Sequence, residues 1–333
     1  MVCVGIIGLG YWGPNLVRTF NENKDCGLKY ACDLIDSNIA KLKGKYPLIT
    51  FTKRHLDLLE DDEVDLVCIA TPPESHFKLA FEALSAGKNV LIEKPMTTNS
   101  ADAEKLIVLA EKKKKLIFVD HTFCFSPSVI KIKELLDRKE IGEPLYFDSE
   151  RINLGLIQEK VNVAWDLAVH DFSILTFLFP ELKPTALIAI GSKHIHNRNE
   201  EMAHVMIKFN TSFVVHIHVS WLSPVKMRQI IIGGNKKMVL FDDISITEKI
   251  RIYEKGVDVN FSEETPFKPI YRSGDILIPK LADDEPLASE VRHIVNCIRG
   301  HDNPRVDGKA GLAVVKLLEA CDSSMKENQQ ILL

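Results

Sequence analysis

The first 120 residues alternate short, continuous apolar runs with helix-forming segments, and this alternation restricts the architecture more than any other feature of the chain. The apolar runs are Val2–Ile7, Leu28–Cys32, Asp65–Ile69, Asn89–Ile92 and Leu116–Val119. Between them, Pro14–Glu22 sets Leu16, Val17 and Phe20 at helical spacing. Ser37 is the expected cap of a helix reaching Tyr46, Glu74–Ala86 is a helix stopped by Gly87, and Ser100 starts another. Strands that are apolar without alternation are buried on both faces, as in a parallel sheet covered by helices. Right-handed crossovers then give a doubly wound fold, which binds ligands at the carboxyl edge of its strands.

The pattern changes after about residue 122. A helix near Ser128–Arg138, a strand at Pro144–Arg151 and a helix near Trp165–Phe179 are followed by strands without intervening helices. These are Thr185–Gly191, Met202–Phe209, Phe213–Ser220, Met227–Gly233 and Met238–Phe241, with Gly233-Gly234-Asn235 as a turn. An open, mostly antiparallel sheet in an α+β second domain follows. The expected division is 1–121 for an α/β Rossmann domain and 122–333 for the α+β domain. The tail helices Pro286–Arg299 and Lys309–Lys326 are able to pack back on the first. A chain of 333 residues suits two domains at roughly 150 residues each.

Gly8-Leu9-Gly10-Tyr11-Trp12-Gly13 follows the first strand and opens the first helix. In that setting G-x-G-x-x-G is a dinucleotide loop. The first glycine makes the turn, the second admits the pyrophosphate, and the third lets helix and strand pack closely. The free N–H groups and dipole of the helix start favour phosphate. Asp33 ends the next strand, where a carboxylate accepts bonds from ribose hydroxyls and repels a 2′-phosphate. No arginine stands at Leu34 or Ile35, so NAD is expected rather than NADP. Thr71 and Pro72 lie on the same edge. His76, just inside the following helix, is either a cofactor contact or a surface or capping residue.

Glu93-Lys94-Pro95 also ends a parallel strand, which sets a lysine where it can face a nicotinamide. Pro95 fixes the local backbone, with a cis bond as one option. In the second domain, Asp166 and His170 stand four apart in a helical pattern and so share a face. Their neighbours are apolar, and a carboxylate and an imidazole in that setting need a polar partner or a ligand. Arg151 and Asn153 leave a strand just before this helix. Arg151 either holds a carboxylate or diphosphate or makes an ordinary surface ion pair. Trp165 lies in the helix itself, and Trp221 either lines the pocket or fills the core. His216 and His218 alternate on one strand face without a third ligand, so no metal is expected.

Taken together, the Gly8/Gly10/Gly13 loop, Asp33, Glu93-Lys94-Pro95 and the Asp166-x-x-x-His170 helix resemble the glucose–fructose oxidoreductase / inositol dehydrogenase (Gfo/Idh/MocA) family over the whole chain. The stretches "GLGYWGPNLVR", "RINLG", "WDLAVHD" and "HVSWLSPVK" resemble its nucleotide-sugar branch. The resemblance implies an NAD(P) Rossmann domain, sugar-like substrates, and dimers or tetramers formed through the second sheet. It also implies that Lys94, Asp166 and His170 serve catalysis or substrate contact, with Glu93 holding Lys94. Which of Lys94 and His170 carries the proton stays open. Family helices often carry glycines just before the Asp, where this chain has Asn162-Val163-Ala164-Trp165. The expected activity is an NAD-dependent oxidoreductase of a sugar, with a nucleotide sugar as substrate. The alternatives are a free-sugar or inositol dehydrogenase, a redox-assisted elimination enzyme that retains NAD, and a non-catalytic NAD sensor.

Composition narrows the class. A net charge of −4 gives no basic footprint for nucleic acid. Lys112–Lys115 reads as a solvated helix end. Seven cysteines without a C-x-x-C pair suggest buried thiols of a reducing compartment. No apolar run reaches the ~20 residues of a membrane span, so a soluble cytoplasmic protein is expected.

Overall fold

Six parallel strands in the order β3-β2-β1-β4-β5-β6 build the first sheet of the computed structural model. They are β1 (Val2–Ile7), β2 (Cys26–Cys32), β3 (Thr50–Thr52), β4 (Leu66–Ile69), β5 (Asn89–Glu93) and β6 (Ile117–Asp120). Residues 1–195, 198–262 and 265–333 are described, without the side chains of 259–268. The strand order reverses between β1 and β4, which is the switch point where doubly wound sheets bind ligands. β4 is buried along its whole length, so its run of Leu66, Val67, Cys68 and Ile69 needs no polar alternation. The three-residue edge strand β3 has no buried residue and carries no such signal.

Packing divides the chain into two units, Met1–Ser126 with Asp284–Lys316 and Pro127–Asp283 with Leu317–Leu333. This differs from a division at 121 for a physical reason. The 3₁₀ turn Thr122–Phe125 packs on the helix Pro286–Ile298, which puts Leu287, Val291, Ile294 and Val295 into the core beside β1 and β2. The helix after β2 runs only from Asp36 to Lys43. Ser37 does not cap it: Ile35 holds the cap position without a side-chain bond, and Asp33 Oδ1 accepts the Ile35 N–H at 2.8 Å. Ser100–Lys113 does start with a side-chain cap, from Asn99, and ends at left-handed Lys114 (φ 54°).

The second unit holds a nine-stranded sheet. Its strands are β7 (Pro144–Leu154), β8 (Pro184–Ser192), β9 (Met202–Phe209), β10 (Val214–Ser220), β11 (Leu222–Gly234), β12 (Met238–Asp242) and β13 (Ile250–Tyr253). A separate hairpin, β14 (Gly256–Ser262) and β15 (Thr265–Arg272), precedes the short edge strands β16 (Ile276–Leu277) and β17 (Ile331–Leu332). The order is β16-β13-β12-β11-β7-β10-β9-β8-β17, antiparallel throughout except where β10 runs parallel to β7. Ala203, Val205 and Ile207 alternate with exposed His204, Met206 and Lys208, so one face carries the core. β13 to β17 were not expected from the sequence; the two end strands, β16 and β17, are two residues each. No described helix is long and apolar enough to cross a membrane, and all seven cysteines are free thiols.

Candidate active site

In the first unit the glycine loop is shaped by what surrounds it. Gly8 has φ +97°, and a Cβ there would stand 2.5 Å from the Ala70 carbonyl oxygen. A Cβ on Gly13 would stand 2.0 Å from the Gly8 oxygen. Neither position accepts another residue. Gly10 faces open space, with nothing within 4 Å of a Cβ. The helix Gly13–Glu22 begins with no side-chain cap and no acid in its first turn. An open face beside uncapped N–H groups fits a pyrophosphate. Asp33 Oδ2 accepts the Leu9 N–H at 2.6 Å and Asn38 Nδ2 at 3.2 Å, tying the loop to the end of β2. These residues fit a dinucleotide. Tyr11 is almost fully exposed, whereas Trp12 turns inward and donates from Nε1 to Asp120 Oδ2 at 2.6 Å.

On the same carboxyl edge, β5 ends at Glu93, and the Lys94–Pro95 bond is cis. The Lys94 backbone N–H donates to Glu93 Oε2. Burial pushes the Glu93 carboxyl well above the carboxylate range. The neighbouring Asp120 adds to this, and the Lys94 charge opposes both. Thr71 Oγ1 bonds Ser75 Oγ at 2.6 Å. His76 is not on the surface: it is fully buried. Its Nδ1 lies 2.9 Å from the Pro95 oxygen and its Nε2 2.8 Å from the Thr71 oxygen, so the ring links the loops after β4 and β5. Burial lowers its pKa, and the two carbonyls oppose that shift.

Three further groups collect here that the sequence reading passed over. Asp120 and His121 end β6, the neighbour of β5, and Glu290 projects from the helix Pro286–Ile298. All three are buried. The His121 pKa is pushed down to about 3 by burial and by the Lys94 charge, and neither ring nitrogen has a partner among the described residues. A signal for two of them existed. "FVDHTF" ends an apolar strand in consecutive polar residues on the edge that carries Lys94.

In the second unit the segment bearing Asp166 and His170 is not one regular helix. Ala164–Ala168 is a π turn, and Val169–Leu178 continues as an α-helix. Such turns are frequent at functional sites because they re-aim side chains. Asn162 Oδ1 accepts the N–H groups of Ala164 and Trp165. Trp221 is in the core, and its Nε1 donates to Asp166 Oδ2 at 3.0 Å. A Cβ on Gly155 would stand 2.8 Å from the Trp221 ring, which explains a glycine after Leu154. Trp165 is mostly buried, and its Nε1 donates to Asp322 Oδ2 at 2.7 Å. Both tryptophans therefore brace this segment. Asp166, His170 and Asn153 are partly exposed.

Arg151 corrects the expectation that it holds a substrate's charged portion. It is 2% exposed, and its guanidinium forks onto Asp171, Nε to Oδ2 at 2.9 Å and Nη2 to Oδ1 at 3.0 Å. Ser149 Oγ donates to the same carboxylate at 2.9 Å. On the open face of the sheet, His204 stacks on His218 at 4.1 Å and lies beside His216. Among the described residues no group of three or more His, Cys, Asp or Glu is arranged to hold a metal.

Residues 2–121 match the GFO_IDH_MocA oxidoreductase family with its NAD-binding Rossmann fold. Residues 129–240 match the GFO/IDH/MocA C-terminal domain. The chain is 26% identical over 315 residues to UDP-N-acetylglucosamine 3-dehydrogenase of Acidithiobacillus ferrooxidans, covering 93% of each protein. It is 32% identical over 249 residues to the uncharacterized oxidoreductase YdgJ of Escherichia coli strain K12, covering 70% of this chain and 69% of that one. The crystal structure of GenD2 from gentamicin A biosynthesis, in complex with NAD, has the same fold at a TM-score of 0.83. There the identity is 19%, with 100% of this chain and 96% of that one covered. The Rossmann sheet with its dinucleotide loop, the mixed sheet of the second unit and the sequence matches over both place this chain in the Gfo/Idh/MocA family of NAD(P)-dependent dehydrogenases.

Proposed function

We propose that this enzyme moves a hydride between NAD and a secondary hydroxyl or keto carbon of a sugar carried on a nucleotide. Lys94 is the observation that carries the reading. It follows β5 on the carboxyl edge that bears the glycine loop after β1. The two strands are two positions apart, or ~10 Å by the usual spacing of neighbouring strands. Oxidation of the carbinol breaks a C–H and an O–H bond and leaves a carbonyl. Bound nicotinamide supplies the hydride chemistry. Side chains do the rest. The Lys94 ammonium donates to the reacting oxygen and stabilises its alkoxide-like charge. His170 takes the hydroxyl proton, or returns it in reduction, since an imidazole titrates near neutral pH. Asp166, braced by Trp221, holds a sugar hydroxyl. Association into a homodimer or homotetramer belongs to the same reading and is checked by light scattering.

NAD is the preferred coenzyme in this reading. Asp33 stands where a 2′-phosphate would meet a carboxylate, and the exposed Leu34 and Ile35 offer no cation. Replacing Asp33 with Ser and Leu34 with Arg is expected to move the preference towards NADP. Equal binding of NAD and NADP by the wild type would remove this role from Asp33.

The nucleotide-sugar assignment is supported by the likeness to UDP-N-acetylglucosamine 3-dehydrogenase along nearly the whole chain. UDP- and dTDP-sugars, free sugars and inositols are to be screened by reduced-nicotinamide absorbance. Remote binding energy orients the reacting carbon, so a free sugar is expected to lose kcat as well as affinity relative to its nucleotide ester. Equal or better turnover of free sugars or inositols would overturn the nucleotide portion and leave the dehydrogenase intact.

A further inference from the structure

The segment that carries Asp166 and His170 is anchored on two sides of its irregular turn. Within it the Val169 N–H donates to the Ala164 carbonyl five residues back, the bond that makes the turn π rather than α. Asn162 stands at its start. The Asn162 carbonyl accepts the Asp166 N–H at 3.3 Å, and Oδ1 accepts the Ala164 N–H at 3.1 Å and the Trp165 N–H at 3.2 Å. Such donors are otherwise left without partners at a helix start. The other end of the same amide, Nδ2, donates to Asp322 Oδ1 at 2.7 Å, with a longer bond of 3.4 Å to Glu200 Oε2. Asp322 Oδ2 accepts Trp165 Nε1 at 2.7 Å.

Asp322 therefore sets two things at once. A carboxylate only accepts, so the Asn162 amide turns its NH2 towards Asp322 and its oxygen towards the start of the helix. The Trp165 ring is held to the same carboxylate, while the next residue, Asp166, is held by Trp221 Nε1 at 3.0 Å. Neighbouring residues are thus pinned to separate elements. Trp221 is fixed in its turn: its N–H donates to the Glu201 carbonyl at 2.9 Å, and its carbonyl accepts the Gly155 N–H at 2.9 Å. The Glu200 carbonyl accepts the Val163 N–H at 2.9 Å. Asp322 also stands on a fastened element. Two residues on in its helix, Gly308–Glu327, Ser324 Oγ accepts the Ala189 N–H of β8 at 2.8 Å. Asn162 and Trp165 are buried, which makes the loss of either bond costly.

We propose that Asp322 is a positioning residue for the reaction: through Asn162 and Trp165 it keeps the π turn that sets the relative direction of Asp166 and His170. A π turn holds one residue more than an α turn. Relaxation to a regular helix would turn His170 by about 100° relative to the residues before it, the angle per residue of an α-helix. A proton acceptor and a hydroxyl-binding carboxylate set for one sugar would then point apart. The consequence for turnover rests on the dehydrogenase reading given above; the coupling of Asp322 to the turn does not.

The expected loss lies in kcat. Misplacing a group by about 1 Å can cost ~10²-fold, so Asp322→Ala should lose about 10- to 100-fold in kcat with a smaller rise in KM. NAD affinity should stay unchanged, because the glycine loop and Asp33 have no part in this network. Groups that act as a unit are not additive. In a His170→Ala background the same substitution should therefore cost no more than about threefold. Asp322→Asn keeps one acceptor oxygen and should fall between wild type and Asp322→Ala.

The test uses the full chain as wild type, Asp322→Ala and Asp322→Asn, each also combined with His170→Ala. Kinetics are measured on the best substrate of the sugar screen, and circular dichroism and thermal melting check the fold. The proton–nitrogen spectrum of the indoles reads the three tryptophans. In Asp322→Ala the signals of Trp165 and Trp221 should both move, the second only through the turn, while that of Trp12 stays in place. A folded Asp322→Ala protein with wild-type kcat would overturn the proposal, whatever its melting temperature. So would a loss of kcat as large in the His170→Ala background as in wild type, or a shift confined to Trp165. Should Asp322→Ala not fold, Asp322→Asn answers each question in the same way. If wild type turns over none of the sugars but Trp165 and Trp221 move together, the coupling stands and the dehydrogenase reading falls. If sugars are turned over and Trp221 stays in place, the coupling falls and that reading stands.

Discussion

Lys94→Ala and His170→Ala are each expected to lose ~10²–10⁴-fold in kcat while affinity for NAD changes little. The loss belongs to kcat because both groups interact most strongly with charge that develops during the reaction. Lys94 follows the end of β5, and its backbone is held by the Glu93 carboxyl. His170 follows a π turn whose Asp166 is tied to Trp221. These braces leave little freedom to compensate for a missing side chain. Steady-state kinetics on the best substrate, with NAD binding measured separately, decides the matter. Near wild-type turnover in both variants would remove the two residues from the chemistry. The pH profiles separate their roles, since loss of the proton acceptor should abolish the acidic limb of the oxidation rate.

Arg151→Ala should cost about 3–5 kcal/mol of stability, because it strands the Asp171 carboxylate in the interior. Asp171 is fully buried, and the Ser149 hydroxyl alone does not replace the two guanidinium bonds once they are gone. The melting temperature should fall by roughly ten degrees. Replacing both partners with apolar residues of similar volume, Arg151→Met with Asp171→Leu, should recover much of the loss. Thermal unfolding of the two singles and the double forms a cycle. An Arg151→Ala protein that melts with wild type but binds nucleotide sugars weakly would return Arg151 to substrate binding.

The chain's order of apolar runs and glycines determined the Rossmann half. A strand buried on both faces must be apolar without alternation, and a loop that turns at φ +97° with a carbonyl against its Cβ position must have glycine. Both demands are local, so both are legible in neighbouring residues. The same holds for Glu93, Lys94, Asp166 and His170, which stand out as charged or titratable groups at the ends or in the midst of apolar segments. The second sheet was legible only in its inner strands. β13, β16 and β17 are short, and β16 and β17 pair with strands that do not adjoin them in the chain.

What only the tertiary structure decided is which polar groups meet. Arg151 and Asp171 are twenty residues apart, and Trp12 and Asp120 are 108 apart. Nothing local marks Glu290 as a buried group. On its own, Pro286–Ile298 reads as an amphipathic helix with a glutamate, and the fold buries that glutamate. His76 shows the same limit. A histidine at a helix start is ambiguous in sequence, and its burial between two loop carbonyls depends on β4 and β5 lying side by side. A buried polar group costs free energy unless it finds a partner. That requirement can be foreseen from the sequence, but the partner is named by the packing alone.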